Sequence, residues 1–339
     1  MRILFSCCVL ILASPGFAAS FNCAKAGTPQ EKAICASPDL SAADNRMAAA
    51  YRTILHTVPP SFQDEVRADQ RVWIRRLATE CPAKNPEQRR YLETCILARE
   101  NARSDALKQR LYKHDGITFA WHSIYRETPG EPGANDPGDG PGSLEVSWPE
   151  ALSSSPEWTA WNNAIAHRTL TVAGLARLDS PIPRSKNWEA SPGMDANIAT
   201  SLDLVNSQQV TATITCFWDG HGAHPGTDWL QFNWLLHEER NLRPEDMFRP
   251  NSNWADVLYS ATDQYLHKTL DEYDPAEVGS ALPAITANPE NWQIDEKGIS
   301  IVFQQNAVSC YACTPPPFTI PWAQLRPLLN PNLIVPAKR

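Results

Sequence analysis

Several short motifs that mark common enzyme classes are absent from this 339-residue sequence. It contains no Gly-x-Ser-x-Gly elbow, no His-Glu-x-x-His pair and no phosphate-binding P-loop. These absences count against the corresponding hydrolase, metalloprotease and nucleotide-binding chemistries. The sequence also has no internal repeat, and after Ala13 it has no apolar run that approaches the roughly 20 residues of a membrane span.

The first 20 residues have the pattern of a secretory signal peptide. Arg2 supplies a positive charge, Ile3 to Ala13 is almost entirely apolar, and small residues follow a Pro-Gly pair. The apolar run is too short to span a bilayer. We therefore expect export to the periplasm and a mature chain that begins between Ala19 and Phe21.

Charge is divided unevenly between the two parts of the remaining chain. Residues 21–113 contain 16 Lys and Arg against 11 Asp and Glu, a net charge of +5. Residues 114–339 contain 13 against 27, a net charge of −14. An acidic region of this size repels nucleic acid and anionic lipid and attracts cationic proteins. The alternative is that it only keeps an exported protein soluble.

Seven cysteines lie beyond the signal region, and an oxidising compartment would favour disulfides among them. An odd number leaves one thiol free or paired with another chain. Four belong to the first part of the chain, namely Cys23, Cys35, Cys81 and Cys95, and three to the second, namely Cys216, Cys310 and Cys313.

Residues 21–113 have the pattern of three helices, which open near Ser37, Ser61 and Glu87. Short connections make neighbouring helices antiparallel, so all four cysteines lie near one end of the bundle. That arrangement permits two disulfides without selecting a connectivity. The predicted inward stripes are Leu40, Met47, Tyr51, Ile54 and Leu55, then Phe62, Val66, Trp73 and Leu77, then Tyr91, Leu92, Cys95, Ala102 and Leu111.

The region from 114 to 339 alternates strand patterns with a few helices. Consecutive strand pairs predict an antiparallel sheet with helices on one side, so the chain as a whole is a two-domain α+β protein. Residues 128–142 are rich in Pro, Gly and Asp and predict a mobile surface loop. The predicted strands are 116–126, 144–148, 200–205, 210–217, 229–236, 292–294, 299–308 and 318–320, and the predicted helices are 156–170, 253–270 and 322–329.

A glycine-rich loop at 219–228 contains two histidines, His221 and His224. With Asp228 as a third ligand they could hold a metal ion. The alternative is a tight turn between strands that needs glycine for its backbone angles, with the imidazoles bonded to nearby carbonyls. We prefer the second interpretation.

The Cys310-Tyr311-Ala312-Cys313 segment has the spacing of a redox pair. The cysteines of a redox pair lie at the start of a helix. Here three prolines follow, and the segment is predicted to lie on a strand. A structural disulfide, with Cys216 as a further possible partner, is therefore the preferred interpretation. A zinc site built from these cysteines and the two histidines is the third option.

Residues 21–112 resemble the N-terminal domain of LprI-type lysozyme inhibitors. The resemblance rests on the four cysteines and on the segments Glu31 to Cys35, Leu40 to Asp44, Ala50 to Arg52 and Gln70 to Arg75 with Trp73. It implies a small disulfide-bonded helical domain that binds lysozyme.

Residues 115–335 are similar to the C-terminal domain of RsiV-type anti-sigma factors, which is also found beside PdaC-type peptidoglycan deacetylases. The similarity rests on Gly222-Ala223-His224, Leu242 to Ser252, Gly298 to Phe303, and Thr319 to Leu325. His221 stands where that family usually has glycine. The resemblance implies a lysozyme-sensing domain.

Two resemblances to lysozyme-binding families predict an exported protein that binds lysozyme or a related cationic lytic enzyme, and possible contact with peptidoglycan. The candidate partner-binding residues are His221, His224 and Tyr311. This hypothesis includes no catalytic residue, metal or cofactor. The alternatives are a peptidoglycan-associated enzyme or accessory protein with its site at the glycine-rich loop, and a structural module of the envelope.

Overall fold

The computed structural model of the protein describes residues 19–82, 89–114, 116–128, 142–174, 193–221, 223–271, 273, 278 and 281–331. The chain divides into two compact units, Met1–Leu111 and Tyr112–Arg339. Among the described residues, none of the helices combines the length and the apolar character needed to cross a membrane. The predicted signal region up to residue 18 and the loop at 129–141 lie outside the described residues.

The first unit contains three long helices and a shorter one that the sequence analysis did not predict. The short helix is α1 (Pro29–Ala36), and Thr28 and Glu31 form a capping box at its start. Ser37 then caps the next helix by accepting from the Leu40 N–H, as predicted. The long helices are α2 (Pro38–Thr57), α3 (Pro60–Glu80) and α4 (Arg89–Gln109).

The predicted inward face of α4 is wrong at two positions. Tyr91 is 58% exposed and Ala102 is also exposed. The buried face also contains polar residues, because the helical period of 3.6 residues places them on the same side as apolar neighbours. A pattern of apolar residues alone does not identify them. The buried face consists of Leu92, Ile96, Glu100, Ser104 and Leu107.

Two disulfides stabilise the first unit. Cys23 is joined to Cys35, which ties the turn before α1 to its last residues, and Cys81 is joined to Cys95 across the α3–α4 connection. Both bonds close short loops, with sequence separations of 12 and 14 residues. Cys81 is fully buried in a core cluster with Leu77, Leu92 and Ile96.

The second unit is built on a seven-stranded sheet in the order β1 to β7. Its strand pairings from β2 to β7 are antiparallel except for the parallel pair β3–β4, which flank α5 in sequence. These elements are β1 (Leu111–His114), β2 (Ile117–Thr128), β3 (Gly142–Ala151), α5 (Pro156–Val172), β4 (Asp195–Val205), β5 (Gln209–Asp219), β6 (Gly226–Leu235) and β7 (Arg240–Asn241).

A second, three-stranded antiparallel sheet follows in the order β10-β9-β8. The predicted strand 299–308 is shorter than expected, since β9 ends at Ile301. The remaining elements are α6 (Pro244–Met247), α7 (Trp254–Thr269), α8 (Ala281–Ala287), β8 (Trp292–Ile294), β9 (Gly298–Ile301), β10 (Phe318–Pro321) and α9 (Trp322–Leu325).

The large sheet is covered by apolar cores on both faces. Alternate residues of a strand point to opposite faces, so Trp234 and Leu235 of β6 belong to different clusters. On one face, Ile214 packs in a cluster that includes Trp161 and Ile165 of α5. On the other face, a second cluster joins α7 to the small sheet, and its members include Leu258, Leu266, Trp292, Ile299 and Ile320.

Buried hydrogen bonds connect the large sheet to the small one. The Thr211 hydroxyl donates to the Ile294 carbonyl at 2.9 Å, and the Asn233 amide donates to the Trp292 carbonyl at 2.9 Å. Asp203 accepts from Thr213 at 2.7 Å and from the Gln293 amide at 3.1 Å. Burial raises the pKa of Asp203, an effect that these hydrogen bonds oppose.

Two glutamine side chains form hydrogen bonds with the backbone of β6 along part of its outer edge. The Thr227 N–H donates to Gln305 Oε1 at 2.8 Å, and the Trp229 N–H donates to Gln304 Oε1 at 2.9 Å. Gln304 Nε2 donates in turn to the Trp229 carbonyl. The chain after β9 therefore leaves the small sheet and supplies side-chain bonds to the large one.

Replacing both Cys81 and Cys95 by alanine should lower the free energy of unfolding by about 3 kcal/mol, because the unfolded chain regains the entropy of a closed loop. Urea unfolding of the oxidised protein, followed by circular dichroism, measures the change. The control replaces Cys310 and Cys313, whose loop spans a sequence separation of only 3. Equal losses for the two pairs would contradict this explanation.

Residues 112–339 should form a more stable fragment than residues 114–339. The Tyr112 ring lies 6.3 Å from the Trp121 ring and 6.5 Å from the Phe119 ring, so removing it exposes both. An aromatic contact contributes about 1 kcal/mol, which corresponds to a melting temperature difference of about 2–4 °C in a domain of this size. Thermal melting of both fragments measures it, and identical temperatures would argue against the division at Leu111–Tyr112.

Candidate functional site

The glycine-rich loop connects β5 to β6 by a turn centred on His221. His221 has a φ of 56°, in the left-handed region, and its N–H donates to Asp219 Oδ1 at 2.8 Å. An aspartate that bonds the backbone two residues later is a common way to form such a turn. The residue that replaces the expected glycine therefore adopts a conformation that glycine accepts more easily.

The His221 side chain points to the start of β4 rather than to His224. Its Nε2 lies 3.4 Å from Asp195 Oδ2, and the two side chains are 36% and 43% exposed. Asp195 is held from β3, where the Ser143 hydroxyl donates to its Oδ1 at 2.7 Å. The contact is a surface interaction, which contributes little to stability.

His224 and Tyr311 lie together although 86 residues separate Tyr311 from Pro225, which follows His224. Their ring centroids are 4.6 Å apart and the ring planes differ by 28°. The Tyr311 hydroxyl donates to the Pro225 carbonyl. Of the three predicted partner-binding residues, the structure therefore brings two into one aromatic pair, and it connects the third to Asp195.

The sequence predicted a strand at Cys310–Cys313, but the segment forms a turn. Residues Tyr311–Cys313 form one turn of 3₁₀ helix, and the two cysteines form a disulfide. The prolines that follow prevent strand pairing at this point, because they supply no backbone N–H. The disulfide closes a small loop that presents Tyr311 to His224.

Cys216 lies in the core of the large sheet, is 3% exposed and takes part in none of the three disulfides. Asp228 lies opposite it on β6. Within the part of the chain that the structure describes, no group of three or more His, Cys, Asp and Glu side chains is placed to hold a metal ion.

Two further surface residues are binding candidates that the sequence did not indicate, and one of them, Tyr91, was predicted to face inward. Ile74 and Tyr91 are 55% and 58% exposed, the highest values among the large apolar side chains that the structure describes. They belong to α3 and α4 of the first unit. For Ile74, the helical phase indicated an exposed position, because Ile74 follows Trp73 and falls outside the predicted apolar stripe.

Two family models match separate parts of the chain. Residues 23–112 match the family described as lysozyme inhibitor LprI, which confirms the resemblance of the first unit. Residues 245–323 match a family described as protein of unknown function, DUF3298. This second match falls within the region that resembles the RsiV-type domain and begins after the glycine-rich loop.

Solved structures similar to this chain include two DUF3298 family proteins. The one from Bacteroides fragilis is 16% identical, with a TM-score of 0.46, over 64% of this chain and 94% of that protein. The one from Pseudomonas aeruginosa is 14% identical, with a TM-score of 0.43, over 63% of this chain and 95% of that protein. None of the curated proteins matches the chain.

Replacing Gly226 by alanine should destabilise the second unit by about 1–3 kcal/mol, the usual effect of overpacking. Gly226 is the first residue of β6, and a Cβ atom there would overlap the Trp218 indole ring. Urea unfolding monitored by tryptophan fluorescence tests this. Gly220→Ala is the control in the same loop, since its Cβ would meet only the Met194 side chain at 3.9 Å. Equal effects at both positions would refute the steric explanation.

Proposed function

We propose that this protein binds lysozyme or a related cell-wall lytic enzyme and inhibits it. The observation that carries the proposal is the match of residues 23–112 to the lysozyme inhibitor family. The resemblance of the second unit to a lysozyme-sensing domain supports the same class of partner. The proposed activity is binding without turnover.

The proposed location is the periplasm. The charged and apolar start of the sequence supports export, and so do three disulfides, because such bonds persist in oxidising compartments. Lytic enzymes that act on the cell wall work in the same compartment, so inhibitor and target would meet there, close to peptidoglycan.

The second unit would bring the partner to the protein by long-range attraction. Residues 114–339 of this unit carry a net charge of −14, which is opposite in sign to the charge of the common basic lysozymes. Such attraction raises the association rate more than it slows dissociation, and it weakens as salt shortens the screening length. The first unit has a net charge of +5, so its contacts with a basic enzyme must be short-range.

Two surfaces are the proposed contacts. In the first unit they are the exposed side chains of Ile74 and Tyr91, because binding energy concentrates on aromatic and apolar groups that become buried. In the second unit they are His221, His224 and Tyr311, which line the disulfide-closed turn and the glycine-rich loop.

A peptidoglycan-associated enzyme with its site at the glycine-rich loop is the second candidate. Catalysis there needs two groups that act on one substrate atom. His221 contacts Asp195 and His224 stacks on Tyr311, so the two imidazoles are directed to different partners and do not act as one pair.

The test is calorimetric titration of the exported protein with a basic lysozyme at about 20 mM and about 150 mM salt, alongside an assay of bacterial lysis. We expect binding at both concentrations, a several-fold weaker affinity at the higher one, and slower lysis. Absence of binding at low salt would refute the proposal, and hydrolysis of peptidoglycan by the protein alone would favour the enzyme.

Variants identify the surface that binds. Ile74→Ala with Tyr91→Ala, and His224→Ala with Tyr311→Ala, should each weaken binding about tenfold if their surface is used, since one hot-spot side chain contributes 1–2 kcal/mol. Thr53→Ala and His237→Ala are the controls, because both side chains are exposed and belong to neither surface. Unchanged affinity in both double variants would exclude these surfaces.

A further inference from the structure

Two carboxyl groups lie side by side in the interior of the first unit. Asp44 of α2 is 4% exposed and Glu100 of α4 is 1% exposed. Burial, and then repulsion by the Asp44 carboxylate, raises the pKa of Glu100 to about 8. Ionising both acids in this dry environment is costly unless a positive charge lies beside them.

No cation is paired with either acid among the residues that the structure describes. Glu100 Oε2 has no hydrogen-bond partner. The neighbouring acids of the same unit differ, since Arg110 contacts Asp69 and Glu65, both at 2.8 Å. The side chains that surround Asp44 and Glu100 therefore leave a buried site that is suited to one positive group.

The chain near residue 20 reaches this site. The Ser20 N–H donates to Asp44 Oδ2 at 2.5 Å. Ala19 is 8% exposed and belongs to the core cluster that contains Leu40, Leu92 and Ile96. Ala19 and Ser20 thus belong to the folded unit, although the sequence pattern assigned them to the end of the signal peptide.

We propose that the leader is cleaved after Ala18 and that the new α-ammonium group of Ala19 binds the Asp44–Glu100 pair. Gly16 and Ala18 supply the small residues that a leader peptidase needs three residues and one residue before its cut. Water adds across the Ala18–Ala19 peptide bond, leaving a carboxylate on Ala18 and an amine on Ala19. The amine takes up a proton at neutral pH, because its ordinary pKa is about 8.

Covalent geometry places this ammonium near Asp44. Consecutive backbone nitrogens are at most about 3.7 Å apart, so the Ala19 nitrogen lies within about 6 Å of Asp44 Oδ2. In the uncut chain this nitrogen is a neutral amide. Cleavage therefore supplies the missing positive charge, and the first unit becomes fully stable only after the leader is removed.

This inference rests on the export that the proposed function includes, but not on lysozyme binding. The exported protein should begin at Ala19, as read by mass spectrometry of the intact chain and its N-terminal peptide. Ser20, Phe21 or any later residue as the first would overturn the proposal, because the buried Ala19 would then be lost.

The stability test uses residues 19–339 behind a tag whose protease site ends directly before Ala19, melted before and after cutting. Cutting should raise the melting temperature of the first unit by about 5 °C or more, since a domain of under 100 residues shifts about 4–8 °C per kcal/mol. The rise should disappear in Asp44→Asn with Glu100→Gln. It should persist in Asp105→Asn, an exposed acid of α4.

A second comparison does not depend on whether the doubly substituted protein folds. A cut chain with Gly-Ser added before Ala19 keeps a free amine but moves it away from the acids, so most of the rise should be lost. No rise on cutting the natural sequence, or the same rise with the Gly-Ser extension, would overturn the proposal. Lysozyme binding is not read in these experiments, so a chain can fail one test and pass the other.

Discussion

The hydrogen-bonded layer between the two sheets of the second unit determines where the rest of that unit lies. Thr211 and Asn233 bond to carbonyls of β8, and Asp203 bonds to Gln293 of the same strand. Buried polar groups of this kind are costly when unpaired, so they fix one register between the sheets. That register sets the path of β9 and therefore of residues 302–317, which carry Gln304, Gln305 and the disulfide-closed turn to β6.

The path of residues 302–317 brings together the candidate surface of the second unit. Tyr311 reaches His224 because the chain that leaves the small sheet must cross the end of β6 before it returns as β10. The short disulfide loop then holds the ring in place. In the first unit, by contrast, helical phase decides which side chains are buried, and polar side chains of α4 lie within the core.

Sequence reasoning succeeded where one local pattern decides the structure and failed where distant residues decide it. Helix α2 follows from apolar periodicity and the Ser37 cap, and strands such as β8 follow from apolar periodicity. Helix α3 also follows from periodicity, but it begins at Pro60 and has no side-chain cap, so the expected cap at Ser61 is wrong. The sequence placed the four cysteines of the first unit at one end of the bundle without selecting their pairs. The pairing of His224 with Tyr311 depends on contacts between segments far apart in the chain. Tyr91 and Glu100 were misjudged for another reason, because residue polarity was given more weight than helical phase.

The glutamines that meet the edge of β6 have a consequence beyond the fold. An open strand edge offers unpaired N–H and carbonyl groups to any extended chain, and this is a common origin of aggregation and domain swapping. The Thr227 N–H is already bonded to Gln305, and both the N–H and the carbonyl of Trp229 are bonded to Gln304. These bonds protect the protein against self-association along this part of its largest sheet.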